Sequence, residues 1–349
     1  MAQQTAFTEL PVIDVGGLYS PDEGERRAVA EKLGKAAREV GFFYVTGHKV
    51  DREQRAALLE ATKSFFALPA DRKMEIYIGK SANHRGYVPE GEEVMVGGKR
   101  DKKEALDLGR EVSADDPSVV AKTPMVGPNQ WPDLPGFREA VQAYYDEVFD
   151  LGRHLLRGFA LALGLEETFF DRFVTNPPSQ LRLIHYPFDP AAEDSQGIGS
   201  HTDYECFTLL LPTAPGLEVM NGAGEWIDVP LLDDAYVVNI GDMMEVWTNG
   251  AFVATSHRVR KVKEERYSFP LFFACDYHTE VAPLPELTGG EPDEKYGPMR
   301  AGDHLYAQTI QSFTYLRERL ANGEIALPEG AKGLSSFGQY ARHEKAANA

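Results

Sequence analysis

The stretch GSHTDYECF, residues 199–207, reads as a strand and sets His201 two positions ahead of Asp203. On an extended chain residues two apart point to one face, so both side chains can reach a single ion. A lone His-x-Asp arises readily by chance, and the plain alternative is a strand-edge pair bonded to backbone or water. A second histidine weighs against that alternative: ATSHRVRKV places His257 in a later strand. Two imidazoles and one carboxylate fill one face of an octahedral ion and leave three positions open, the ligand set of non-haem Fe(II). No Cys-x-x-Cys pair or nearby histidine supplies the fourth ligand of a closed zinc site. Arg266 and Ser268 follow at the start of the next strand. They too share a face, so a planar guanidinium and a hydroxyl can converge on one carboxylate, as suits a dicarboxylate held at its far end. Alone, Arg-x-Ser would mean only a surface strand.

Around this stretch, from Pro178 onward, the chain breaks into short segments rich in β-branched and aromatic residues. These are LRLIHYPF, FTLLLP, GLEVMN, EWIDVP, AYVVNIG, EVWTNG, ATSHRVRKV and RYSFPLFFACDY, separated by Gly, Pro, Asn or Asp. They predict strands, and so many with short turns predict a sandwich or jelly roll whose open end holds a ligand. Upstream, LPVIDVGGL and GFFYVTGH read as short strands, while PDEGERRAVAEKLGKAAREV and DREQRAALLEATKSFFALP read as helices. PGFREAVQAYYDEVFDLGRHLLRGFALALGL is a long helix whose apolar residues, Val141, Tyr144, Tyr145, Val148 and Leu155 among them, recur at three and four and should buttress a core. Residues 81–131 carry many Gly, Pro and charged residues with no sustained period, which predicts a lid or binding wall, mobile over 92–130. AGDHLYAQTIQSFTYLRERL predicts one closing helix. The expected organisation is a single integrated, mainly β domain with flanking helices. Its parts are a helix-rich N-terminal region with the lid (1–130), buttressing helices (131–177), a β core (178–285) and a C-terminal helix and tail (286–349).

Composition narrows the function further. The 36 Lys and Arg stand against 54 Asp and Glu, a net charge of −18, with no basic tract. Affinity for nucleic acid rests largely on Lys and Arg neutralising phosphates, so DNA and RNA are not expected as partners. Two cysteines, Cys206 and Cys275, cannot build a disulfide framework, and MAQQTAFTELPVIDV lacks the regions of a signal peptide, so a reducing cytoplasm is expected. No apolar run approaches the ~20 residues of a membrane span. Oligomeric state is not legible.

The set His201-x-Asp203, His257 and Arg266-x-Ser268 resembles the Fe(II)/2-oxoglutarate-dependent dioxygenases, in the branch that includes isopenicillin N synthase and plant flavonoid, gibberellin and ethylene-forming oxygenases. LPVIDV (10–15), GFFYVTGH (41–48), SFFALP (64–69) and HRGYVPEGEE (84–93) resemble further motifs of that branch in order. The resemblance implies a double-stranded β-helix with His201, Asp203 and His257 as iron ligands, and Arg266 and Ser268 holding the distal carboxylate of 2-oxoglutarate. It also implies Tyr186, within IHYP (184–187), as a cosubstrate contact. Ile184 and His185 depart from the family's Asn-Tyr-Tyr-Pro run, and His185 is either a pocket residue or a strand residue facing the other way. Asp203, where halogenating relatives carry a small residue, argues against halogenation. The implied reaction is oxidation of a C–H bond by O2 with release of succinate and CO2, the outcome being hydroxylation, desaturation or ring closure. A related oxidase that needs no 2-oxoacid, as isopenicillin N synthase does not, is the first alternative. A non-catalytic metal-binding β-barrel is the second.

By family position the substrate-reading candidates are Arg85, Tyr87, Glu93, Tyr204, Cys206, Phe272 and Phe313, each with ordinary packing or a solvated loop as its alternative. Cys206 reads more simply as a packing residue than as a nucleophile, since no basic partner lowers its pKa. GYVPEGEEV also resembles the corresponding stretch of the bacterial ethylene-forming enzyme, for which arginine is a substrate. With the acidic loop and overall charge, this gives a small, amine-bearing cytosolic metabolite as the expected substrate.

Overall fold

The computed structural model describes residues 4–94, 103–188, 196–260, 264–289, 292 and 296–333. Its helices are α1 (Glu23–Glu39), α2 (Arg52–Phe66), α3 (Ala70–Met74), α4 (Pro117–Val120), α5 (Phe137–Ala162), α6 (Asp242–Trp247), α7 (Pro285–Thr288), α8 (Ala301–Ser312) and α9 (Thr314–Ala321). In chain order the strands are β1 (Val12–Asp14), β2 (Phe42–Thr46), β3 (Gly86–Val88), β4 (Glu104–Gly109), β5 (Gln180–Tyr186) and β6 (Gln196–His201). They continue with β7 (Phe207–Pro212), β8 (Leu217–Met220), β9 (Trp226–Asp228), β10 (Tyr236–Ile240), β11 (His257–Arg260) and β12 (Arg266–Phe273). An eight-stranded sheet runs β1-β2-β10-β7-β12-β5-β4-β3, and a four-stranded sheet runs β6-β11-β8-β9. The two sheets form a double-stranded β-helix with a cavity between them, lined from both.

The helices are placed by local signals. Asp22 caps α1 by accepting from the Glu25 N–H, and Gly41, at φ +74°, closes that helix with its N–H on the Ala36 carbonyl. A Cβ at Gly41 would lie 2.1 Å from the Val253 oxygen, so no other residue fits there. On α5 the expected stripe is buried: Tyr144, Val148 and Leu155 each have no exposed surface, and Phe159 continues it one turn further. Each contributes about 1.5–3 kcal/mol through burial. That face packs on α1, α2 and β12, with Gly152 letting the Phe273 ring of β12 approach.

Three expectations need correction. EVWTNG is not a strand, because Asp242–Trp247 forms α6 with all six residues buried, so its apolar content reflects full enclosure rather than a pleated surface. The closing helix is two helices, α8 and α9, interrupted at Phe313, which takes an extended conformation (φ −98°, ψ 130°) and forms a bridge with Glu93. The 81–131 segment is not wholly irregular. Its β4 pairs with β5 through Asp107↔Arg182, and β3 pairs with β4, so part of the expected lid is an edge of the major sheet. The mobility expected over 92–130 falls partly on residues 95–102, and the expected C-terminal tail falls largely on residues 334–349. Both stretches lie outside the described residues.

Candidate active site

Strand register brings the three expected ligands together. His201 ends β6 and His257 begins β11, and the two are direct partners in that antiparallel pair, with ring centroids 4.3 Å apart. Asp203 lies beyond the end of β6, so it reaches the histidines from a turn and not, as expected, from the same strand face. Its Oδ1 is 3.6 Å from Nε2 of each histidine. One ligand atom from each residue falls within 4.8 Å of the others, and this is the group of metal-ligating side chains found among the described residues.

The atoms behind the ligands fix their roles. His201 Nδ1 is 2.8 Å from the Gly199 carbonyl and His257 Nδ1 is 3.3 Å from that of Thr255, which keeps the proton on Nδ1 and the lone pair on Nε2. Asp203 Oδ2 accepts from Thr208 Oγ1 at 2.5 Å and Asn239 Nδ2 at 2.7 Å, leaving Oδ1 toward the histidines. Burial, then the neighbouring His201, pushes the His257 imidazole down to about 4, so it is neutral near neutrality. Burial raises the Asp203 carboxyl, but the two histidines and the Thr208 and Asn239 hydrogen bonds outweigh it and hold the group below its ordinary value. The donor set therefore fits Fe(II).

Backbone geometry holds the ligand turn against α6. The N–H groups of Gly241, Asp242 and Met243 donate to the carbonyls of Cys206, Asp203 and Glu205 at 2.9, 2.9 and 3.2 Å. Glu205 itself lines the cavity, its carboxyl pushed up to about 8 by burial and then by the Asp203 charge.

Alternation along β5 and β12 builds the rest of the chamber. Gln180, Arg182, Ile184 and Tyr186 from β5, and Arg266, Ser268, Pro270 and Phe272 from β12, all line it. The cavity holds about 1020 Å³ of empty space continuous with solvent. Arg266 pairs across the ladder with Tyr186, and its guanidinium lies 4.7 Å over that ring. Its Nε donates to the Ala214 carbonyl at 3.1 Å, whereas Nη1 and Nη2 are buried with no protein partner. A buried guanidinium with two unpaired nitrogens calls for an anion, and their planar edge fits a carboxylate.

The other expected residues divide. Glu93, Tyr204, Phe272 and Phe313 line the cavity, while Arg85, Tyr87 and Cys206 do not. Arg85 is buried beside the chamber, with Nη1 on the His84 carbonyl and Nη2 on that of Met125. Tyr87 packs in the core and donates to Glu104 at 2.6 Å. Cys206 is fully buried and its thiol is pushed well up by burial, which suits packing. His185 faces away, between Glu104 and Glu265 and stacked on Tyr267. Arg182, Lys103 and His84 also line the cavity and were not expected there, although counting back from Tyr186 in steps of two reaches Arg182.

A double-stranded β-helix whose chamber holds a His-Asp-His group able to bind a metal, and an arginine with two unpartnered buried nitrogens, has the fold and side chains of a non-haem iron oxygenase that takes a 2-oxoacid. The comparisons agree. The family model described as 2OG-Fe(II) oxygenase superfamily matches residues 177–274, and that described as non-haem dioxygenase in morphine synthesis N-terminal matches 10–134. The 2-oxoglutarate-Fe(II) type oxidoreductase hxnY of Emericella nidulans is 35% identical over 88% of this chain and 91% of its own. A homoarginine-6-hydroxylase of Arabidopsis thaliana is 37% identical over 88% of this chain and 95% of its own. A full-length Neurospora crassa protein crystallised with alpha-KG (2-oxoglutarate) superposes with a TM-score of 0.75 at 27% identity, covering 92% of this chain and 98% of that one. This chain belongs to the 2-oxoglutarate/Fe(II)-dependent oxygenase superfamily. It is an enzyme that uses Fe(II) and 2-oxoglutarate to oxidise a small molecule.

Proposed function

We propose that His201, Asp203 and His257 hold the iron, and that Arg266, with Ser268 and Tyr186, takes the distal carboxylate of 2-oxoglutarate. The observation that carries this reading is the pair of unpartnered, buried Arg266 nitrogens in the same cavity as the triad. It favours 2-oxoglutarate over the oxidase alternative that dispenses with a 2-oxoacid, and over a non-catalytic barrel. Bound iron, 2-oxoglutarate and O2 supply oxidation of a substrate C–H bond with release of succinate and CO2. The chain's own part is placement. The histidines present Nε2, Thr208 and Asn239 orient the Asp203 carboxylate, and Leu210, Leu217 and Val259 give the chamber apolar walls that exclude water.

The substrate is a small, amine-bearing cytoplasmic metabolite, and the enzyme falls in the isopenicillin N synthase-like branch. The net charge of −18 supports a small molecule over nucleic acid, and relatives named homoarginine-6-hydroxylases in Arabidopsis thaliana and rice support the amine. Among the described residues no helix is long and apolar enough to cross a membrane. Release of CO2 from carboxyl-labelled 2-oxoglutarate tests the assignment. It should require Fe(II) and vanish in Asp203→Ala. Iron-dependent release retained in that variant would contradict the assigned triad.

A further inference from the structure

Resting on the iron and 2-oxoglutarate reading, we propose that the chamber recognises its substrate by an α-amino-acid head group, a carboxylate and an ammonium on one carbon. The reading element is the ionic chain Asp107, Arg182, Glu93, Lys103. Arg182 bonds Asp107 in bidentate fashion, Nε to Oδ1 at 2.7 Å and Nη2 to Oδ2 at 2.8 Å, and its Nη1 reaches Glu93 Oε1 at 2.9 Å. Lys103 Nζ meets Glu93 Oε2 at 2.7 Å. Side-chain exposure is 10% for Arg182 and Glu93, 4% for Lys103 and zero for Asp107.

Four charges in one buried chain are costly to desolvate, and apolar residues of similar volume would stabilise the fold at least as well. Stability alone does not explain the chain, but its position does. Arg182, Glu93 and Lys103 line the cavity, while Asp107 is not part of the lining and holds the guanidinium from behind. This ionic chain therefore offers the chamber a guanidinium and a carboxylate, alongside the Asp203, Glu205 and Arg266 side chains that line it elsewhere. A guanidinium carries five N–H groups, and three are used on Asp107 and Glu93. Each Glu93 oxygen keeps a second lone pair. A lone amine in this position would face the Arg182 guanidinium, and a lone acid would face Glu93. A ligand with both groups complements both.

The surroundings make the site rigid and place it near the triad. Phe272 and Phe313 flank the Arg182 guanidinium at 5.9 and 5.6 Å. Phe272 is the ladder partner of Thr208, which holds Asp203. Arg182 stands four residues along β5 from Tyr186, the ladder partner of Arg266, which separates the two positions by about 13 Å at the usual rise per residue. The two arginines thus serve different anions. Glu93 is held by its bridge to Phe313 and by Val94 N–H on the Ser312 carbonyl at 2.8 Å. His84, a non-glycine residue at φ 57°, sets its ring edge-on to Phe313 at 4.4 Å, and its Nδ1 lies 2.7 Å from Tyr315 Oη. That strained backbone is kept where it braces the reading element. With the head group fixed here, the side chain of the amino acid extends toward the triad.

The test reads the visible charge-transfer band of the anaerobic iron and 2-oxoglutarate complex while ligands are added. The probes are the protein amino acids, L-ornithine and L-homoarginine, then the Nα-acetyl and decarboxylated forms of those that respond. At least one free amino acid should shift the band, and blocking either head group should weaken the response tenfold or more. Glu93→Gln should reduce the preference for the free amine over its acetyl form, and Arg182→Lys the preference for the acid over the decarboxylated form. If no amino acid shifts the band, or if decarboxylated forms act as well as the parent compounds, the proposal is overturned. Failure to form the band at all speaks instead against the underlying iron and 2-oxoglutarate reading.

Discussion

Asp203 shows how much of a metal site lies behind its ligands. Its Oδ2 is held by Thr208 and Asn239, which leaves Oδ1 facing both histidines. Removing either partner frees the carboxylate to rotate, so Thr208→Val or Asn239→Leu should lower iron affinity about 10–100-fold, measured by metal titration under argon. Arg266→Ala should act differently. It should raise KM for 2-oxoglutarate at least tenfold and leave iron affinity unchanged, because its unpaired nitrogens lie apart from the triad. At this scale the triad and the arginine were legible as residue types at revealing spacings. Thr208 and Asn239 were not, since a Thr or an Asn in a strand carries no signal until its neighbours across the sheet are known, whereas Arg182 shares a strand face with Tyr186.

Secondary elements were legible where one period ran long enough. The α5 stripe did, and the strands from β5 onward showed as short runs rich in β-branched and aromatic residues between Gly, Pro, Asn and Asp. Two elements misled, each for its own reason: complete burial erases the polar face that marks a helix, as in α6, and a long-range bridge can break one, as at Phe313. α6 matters because its first N–H groups carry the backbone of the ligand turn. A Cβ on Gly241 would lie 2.3 Å from the Glu205 oxygen. Gly241→Ala should therefore push the turn outward, costing about 1–3 kcal/mol in denaturant unfolding and weakening iron binding. Unchanged iron affinity in a destabilised Gly241→Ala protein would show that α6 supports the fold without positioning Asp203.

Over the whole molecule the jelly-roll core could be read from composition and turns, but the pairing of β2 with β10 and of β4 with β5 could not, because ladder partners distant in sequence leave no local mark. The same long-range contacts set the pH response. Burial raises the Glu93 carboxyl, but Arg182 and Lys103 outweigh it and hold the group far below its ordinary value of 4.5. A depressed carboxyl contributes stability that is complete above its unfolded value and lost as pH falls toward the folded one. The difference in thermal stability between the parent and Glu93→Gln should be constant from pH 8 to about 5 and shrink only in stronger acid. Arg182→Met, which takes the bidentate partner from the buried Asp107 carboxylate and leaves Glu93 to Lys103, should cost about 3–5 kcal/mol. The central claim is that one chamber holds iron at the triad and 2-oxoglutarate between the triad and Arg266. Anaerobic titration of the iron-loaded protein with 2-oxoglutarate tests it most directly. The account predicts a visible charge-transfer band in the parent protein that Arg266→Ala weakens or loses, and iron-loaded parent protein showing no band would contradict it.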